Sequence, residues 1–240
     1  MATALAAHLA QGLSVPEAVN RARSLVAQAL RFGLPLGGGV GPVNPYAPFA
    51  RDLARYEVLE ALKQAAARLQ KEDINPLIPE VMTNLGYAVP YPEGPQDVAA
   101  FPGRLVKGPD GVIIPAPPGF GASRHIASII LAAMETHPYL RAAMNIKYLY
   151  GIENLAPLLQ MRLATFDLAQ LSPDIKTPES CLLTRLLPSV LQADTPPPHL
   201  LAHQGAKGLE PMLYLLGTDP MSVAEKALAL KNATQVGGRV

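Results

Sequence analysis

The chain has 240 residues, a formal net charge of +1, and 49% apolar against 16% charged residues, the balance of a globular protein rather than a disordered one. That charge gives no general basic surface for nucleic acid. No uninterrupted run of about 18 apolar residues offers a transmembrane helix, and the N-terminus lacks the basic-then-apolar pattern of a secretory signal. The single cysteine, Cys181, can form no internal disulfide, so a cytoplasmic setting is expected, and 25 prolines without tryptophan fit a heat-tolerant, thermophile protein.

In chain order, Ala4 to Gln11 reads as a helix ended by Gly12, and Ser14-Val15-Pro16-Glu17 as the capping box of a second. Val15, Val19, Ala22, Val26, Ala29 and Leu30 give that second helix an apolar face. Gly33 to Pro45, rich in glycine and proline, reads as a linker, so residues 1–46 are set apart from a domain over 47–240. A long helix is expected from Pro48 to Lys71, burying Phe49, Leu53, Tyr56, Leu59, Leu62, Ala66 and Leu69. Strands are expected at Val81–Ala88, Arg104–Lys107, Val112–Pro115, Ala143–Leu149, Met161–Asp167 and Leu200–His203, with Lys107-Gly-Pro-Asp-Gly111 as a hairpin turn. Helices are expected at Ser123–Thr136, Ile152–Leu159, Glu179–Gln192 and Pro220–Lys231, the last opened by Asp219-Pro220. Helices alternating with short strands predict a layered α/β domain.

The stretch from Asp97 to Ile126 is the expected anion site. Gly119-Phe-Gly-Ala-Ser-Arg-His-Ile126 leads two glycines into Ser123 and an apolar helix, an arrangement that turns unpaired backbone N–H groups toward an anion. Taken alone, these residues are equally compatible with an exposed helix start. Arg104 directly follows the Pro102-Gly103 turn, where a guanidinium can fork onto a phosphate. Asn84 and Asn145, with Lys147, are polar residues set in short apolar strands, and an outward-facing edge strand explains them equally well. His203 to Pro211 forms a glycine-bracketed loop carrying Lys207 and Glu210. The five histidines are scattered and there is no cysteine pair, so a metal centre has little support, and no Gly-x-Ser-x-Gly elbow marks a hydrolase.

Five motifs occur together and in order: Asn84-Leu-Gly-Tyr87, Asp97 to Arg104, Phe120-Gly-Ala-Ser-Arg-His-Ile126, Ala142-Ala-Met-Asn-Ile-Lys-Tyr148 and Gly208-Leu-Glu-Pro-Met212. As a set, over residues 48–231, they resemble the ThiN-type thiamine-phosphate synthase domain, which is usually fused behind a hydroxymethylpyrimidine phosphate kinase. Residues 1–45 resemble the last helices of that kinase; its anion-hole glycines and catalytic Asp would lie upstream of Met1, so kinase activity is not expected of this truncated fusion. The resemblance implies a three-layer α/β/α fold of the class II aldolase type, with a mixed, mostly antiparallel sheet. It also implies that hydroxymethylpyrimidine pyrophosphate and hydroxyethylthiazole phosphate are joined to thiamine phosphate, with Mg²⁺ accompanying the pyrophosphate.

Arg104 and His125 match the family's key Arg and His. Asn84, Asp97, Gly103, Gly121, Ser123, Asn145, Lys147, Lys207 and Glu210 are the expected substrate contacts; the metal ligands stay open. Leu209 stands where the family pattern has Lys, with Lys207 as the substitute cation. Self-association is expected, and neither nucleic acid nor membrane as partner. Two other readings have distinct sequence requirements. A transcriptional sensor of thiamine phosphates would carry a basic DNA-binding segment in place of the kinase-like tail, and a metal-dependent aldolase would need a clustered histidine set.

Overall fold

In the computed structural model, which describes residues 1–39, 41–168, 186–192, 196–206 and 208–237, the chain divides into two units, Met1–Arg55 and Tyr56–Val240. The first holds α1 (Ala2–Ala10), α2 (Val15–Arg31) and α3 (Ala47–Leu53). Gly12 ends α1 in the left-handed region at φ +84°, and the Ser14 backbone N–H and hydroxyl both donate to the Glu17 carboxylate, at 3.1 and 2.6 Å. These bonds, the hydroxyl's foremost, hold the Glu17 pKa below its ordinary value. The face that α2 buries is made of small residues, Ala18, Ala22 and Ala29, while Val15 and Leu30 of the expected apolar face are exposed. The glycine-rich segment folds back rather than trailing away: Leu34 N–H donates to Pro42 O, and Asn44 N–H to Ala29 O.

The expected helix over 48–71 is two helices. Ala54 separates α3 from α4 (Arg55–Lys71), and Phe49, Leu53 and Tyr56 are exposed, whereas Val58, Leu62, Ala65, Ala66 and Leu69 are buried. No Gly or Pro marks that break, which is why the pattern reads as continuous.

The second unit is built on seven strands: β1 (Leu85–Ala88), β2 (Val98–Ala100), β5 (Gly119–Phe120), β6 (Ala142–Lys147), β7 (Leu163–Thr165), β8 (Leu200–His203) and β9 (Met212–Gly217). Their order across the sheet is β5-β2-β1-β6-β9-β8-β7, antiparallel everywhere except for the β7–β8 pair. The sheet is therefore mixed and mostly antiparallel, as expected. β3 (Val106–Gly108) and β4 (Gly111–Ile113) form a separate hairpin around Pro109-Asp110.

Register assigns the two faces. Directly paired residues share a face, so Gly86, Ala143, Asn145, Leu201, Tyr214 and Leu216 lie together. Helix α5 (Arg124–Thr136) covers that face, burying Ile126, Ile129 and Ile130, each worth about 1.5–3 kcal/mol. Ile126 sits directly over Gly86, where a Cβ would meet its Cγ2 at 2.3 Å. Helix α7 (Pro220–Gly237) covers the opposite face, where Val223 packs against Gly217. A short helix, α6 (Ile152–Leu158), follows β6. Of the helix expected over Glu179–Gln192, residues 186–190 are helical, and the earlier part lies outside the described residues. No helix among the described residues is long and apolar enough to cross a membrane.

Candidate functional site

Residues that the sequence scatters converge on one end of the sheet, under the start of α5. Ser123 caps α5 with its hydroxyl, which accepts the Ile126 N–H at 3.5 Å, and the helix ends where the chain turns into β6. Its positive end therefore faces away from the first residue of β6 and toward the Asn145–Tyr214 level. There His125 Nε2 lies 3.1 Å from the hydroxyl of Tyr214, a fully buried residue of β9. Tyr214 in turn lies against the ring of His203, with centroids 5.9 Å apart, and His203 against Phe166 at 5.3 Å. His203 Nδ1 accepts the Gly205 N–H at 3.1 Å, which leaves the proton of the neutral ring on Nε2.

Across the ladder from Tyr214 stands Asn145, and beside it Asn84; both are nearly fully buried. The Asn84 amide closes a ring with the Phe101 backbone, donating to its C=O and accepting from its N–H at 3.0 Å each. Asn145 accepts the Asn84 N–H at 2.8 Å and donates to Met82 O at 2.9 Å. These amides tie β1, the end of β2 and β6 together immediately before the turn that carries Arg104. Asn84→Ala would strand a buried N–H and C=O, so it is expected to lower stability by about 2–4 kcal/mol, read as a lower urea midpoint with unchanged slope.

Arg104 is exposed, and its guanidinium donates to Val81 O. It follows Gly103 at φ +74° with a φ of its own of +65°, and Met82, next to the carbonyl it binds, has φ +66°. Left-handed backbone is unfavourable for both side chains and is held here by neighbours: Leu105 pairs with Thr83, and the Glu210 carboxylate accepts the N–H groups of Glu80 and Val81 at 3.1 and 3.3 Å. Lys147 closes β6 on the same face, paired with Met212 and exposed. A cavity of about 810 Å³ opens beside His203, its wall including Tyr148, Glu153, Phe166, Asp167 and Gln204. Tyr148 donates to Glu153 at 2.7 Å, and this bond lowers the Glu153 pKa and raises that of Tyr148.

By register and hydrogen bonding, Asn84, Gly103, Arg104, Asn145, Lys147 and Glu210 lie at one end of the sheet, while Ser123 and His125 open α5, from which His125 reaches Tyr214. Two expected contacts stand elsewhere. The Asp97 carboxylate accepts the Glu93 N–H at 2.9 Å, and the Gly121 N–H donates to Val98 O at 3.0 Å, so both lie at the opposite end of β2 from Arg104. The stretch from Asp97 to Ile126 does not close on a single point, because β2 runs through it. Lys207 lies outside the described residues. Tyr214 and Phe166 lie outside the expected site residues, and Tyr148 enters them only as the end of a motif; a polar-tipped aromatic inside an all-apolar strand is the signal that Tyr214 offers. Among the described residues no group of three or more His, Cys, Asp or Glu side chains could hold a metal ion.

Comparison with known proteins follows the same division of the chain. The family model of Thiamine-phosphate synthase ThiN matches residues 61–229, and that of Phosphomethylpyrimidine kinase matches residues 1–44. The chain is 32% identical over 229 residues to the bifunctional thiamine biosynthesis protein ThiDN of Methanocaldococcus jannaschii, covering 93% of this chain and 51% of that one. It is 33% identical over 159 residues to the thiamine-phosphate synthase ThiN of Methanothermobacter thermautotrophicus, covering 66% and 84%. It thus spans about half the length of the first relative and most of the second. A crystal structure of the C-terminal domain of a phosphomethylpyrimidine kinase superposes with a TM-score of 0.64 at 29% identity, covering 72% of this chain and 97% of that one.

Proposed function

This chain belongs to the thiamine-phosphate synthase ThiN family, and from that membership and the site we infer that it acts in thiamine biosynthesis as the transferase making thiamine phosphate. In the proposed reaction the thiazole ring nitrogen of hydroxyethylthiazole phosphate attacks the methylene carbon of hydroxymethylpyrimidine pyrophosphate. A C–N bond forms as the C–O bond breaks, and pyrophosphate leaves with the electron pair. The observation that supports the reading is that His125 is hydrogen-bonded to buried Tyr214 of β9, while Arg104 and Lys147 stand at the end of the sheet where β9 begins.

The chemistry asks for fixed positive groups where the leaving group gains charge. Arg104, Lys147 and the positive end of α5 supply them, and His125, steadied by Tyr214, is a proton donor for a phosphate oxygen. The cavity beside His203 suits a different part of the substrates. Its aromatic walls, Tyr148 and Phe166, with Glu153 and Asp167 as its charged groups, favour the neutral aminopyrimidine ring and repel a phosphate. Asn84, Asn145 and Glu210 act as framework, because their polar atoms engage backbone. The described side chains do not form a protein cage for Mg²⁺, and Glu210 is engaged by two N–H groups. Mg²⁺ is therefore proposed as the companion of the pyrophosphate.

Purified protein given both substrates and Mg²⁺ should release pyrophosphate and thiamine phosphate in equal amounts. His125→Ala should lower the rate by about 10²-fold or more, and Tyr214→Phe by about tenfold, in keeping with one lost hydrogen bond. Absence of product, with both substrates shown to bind, would refute the reading.

A further inference from the structure

At the end of the sheet opposite the candidate site, a cavity of about 270 Å³ is lined by Arg162, His199 and Lys226, with Thr218, Ser222 and Tyr139 among its other walls. Arg162 immediately precedes β7, His199 precedes β8 and Thr218 follows β9, so the place is fixed by three strand ends. His199 Nδ1 accepts the Arg162 backbone N–H at 3.0 Å, which puts the proton of the neutral ring on Nε2. That Nε2–H stands 3.5 Å from Arg162 Nη2, a second donor. Two donors cannot bond each other; an oxygen carrying lone pairs, placed between them, accepts from both. The guanidinium is held for this by its Nε, which donates to Pro197 O at 2.8 Å.

The electrostatics agree. Among the described residues, no carboxylate lines the cavity. The neighbouring Asp219 carboxylate accepts the Ser222 N–H and the Thr218 hydroxyl, at 2.8 and 2.9 Å. Burial, then the charges of Arg162 and Lys226, push the His199 pKa below its ordinary value, and burial lowers that of Lys226. His199 and Lys226 are thus disfavoured in their charged forms, chiefly by burial, a penalty that an anion beside them would relieve.

We propose that this cavity is a second binding site, for a small tetrahedral oxyanion held by Arg162, His199 and Lys226: orthophosphate, or the phosphoryl group of a small phosphomonoester. Its volume lies just below the range of about 300–1,000 Å³ common to small-molecule pockets, enough for a phosphate with few further atoms. This inference does not depend on the transferase reading, because it concerns other residues and is read by binding.

The test follows the His199 ring resonances of the full chain while orthophosphate, or separately glycerol 2-phosphate, is added to millimolar concentration. A saturable shift is expected, with the titration midpoint of His199 moved upward in the presence of anion. The double variant Arg162→Gln/Lys226→Met should weaken binding by about tenfold or more, the effect of losing charge-assisted contacts. Lys226→Met alone, read in the same way, carries the test if the double variant does not fold. His125→Ala should leave the response unchanged. Tighter binding of glycerol 2-phosphate identifies a phosphomonoester as the ligand, and equal or tighter binding of orthophosphate identifies the free ion. The proposal is overturned if neither probe moves His199, if the shift persists at the same affinity in the folded variants, or if it vanishes in His125→Ala.

Discussion

Arg104→Ala is expected to lower turnover by about 10²–10³-fold with the fold intact, as for the loss of one fixed donor to a developing anion. Arg104→Gly should lose the same activity and yet be the more stable of the two variants. The reason is the backbone: Arg104 stands at φ +65°, directly after Gly103 at φ +74°. A side chain in that region costs about 1–2 kcal/mol, and glycine escapes this cost at an entropic penalty of about 0.5–1 kcal/mol. Glycine should therefore exceed alanine by about 0.5–1 kcal/mol in a urea titration. Pyrophosphate release measures the first effect and unfolding midpoints the second. Undiminished turnover in the alanine variant would remove Arg104 from the reaction. A glycine variant less stable than alanine would show that the strained backbone is not what distinguishes this position.

Gly86→Ala is expected to damage the fold and the site together. The added methyl would meet Ile126 Cγ2 at 2.3 Å and Ile130 Cδ1 at 3.0 Å, so α5 must lift from the sheet or the isoleucines must leave their rotamers. Overpacking of this kind costs about 1–3 kcal/mol. Because His125 precedes Ile126 on the same helical turn, lifting α5 also lengthens the 3.1 Å contact to Tyr214, and turnover falls with stability. Ile126→Ala alone should cost about 2–5 kcal/mol by leaving a cavity. The double variant should be less destabilised than the two singles added together, by more than about 1 kcal/mol, since the new methyl occupies part of the vacated volume. Simple additivity in that cycle would mean that Gly86 and Ile126 do not share the space described.

Much of the second unit could be read from the sequence wherever a local rule and the tertiary fold agree. Ser123 announced α5, Asp219-Pro220 announced α7, and Asp110-Gly111 announced the β3–β4 hairpin, because caps and turns are written in a few adjacent residues. The strands that escaped were β2, β5 and β9. β9 is the instructive one: Met212–Gly217 is buried at every position and shows no alternation, so period-two patterning is silent on it, although it lies next to the central strand. β2 and β5 are three and two residues long, below the reach of any periodicity.

The site was legible in its residue types and not in its geometry. Polar residues in apolar strands marked Asn84 and Asn145, but the sequence does not say that their amides bind backbone. Asp97 and Gly121 are near Arg104 in sequence, but β2, too short for any periodicity to mark, separates them from it. Tyr214 went unnoticed for the same reason as β9, the strand that carries it.

The position of β9 also bears on how the protein is made. β6 has its partners complete only when a strand some 65 residues further along the chain has been synthesised and placed beside it. Until then a ribosome-bound chain carries an open, mostly apolar strand edge at what will become the middle of the sheet, a template for pairing with any neighbouring nascent chain. Loop closure over that separation is slow compared with forming the β3–β4 hairpin or helix α5. Yield in a heterologous host should accordingly respond to chaperone supply and growth temperature before it responds to substitutions on the surface.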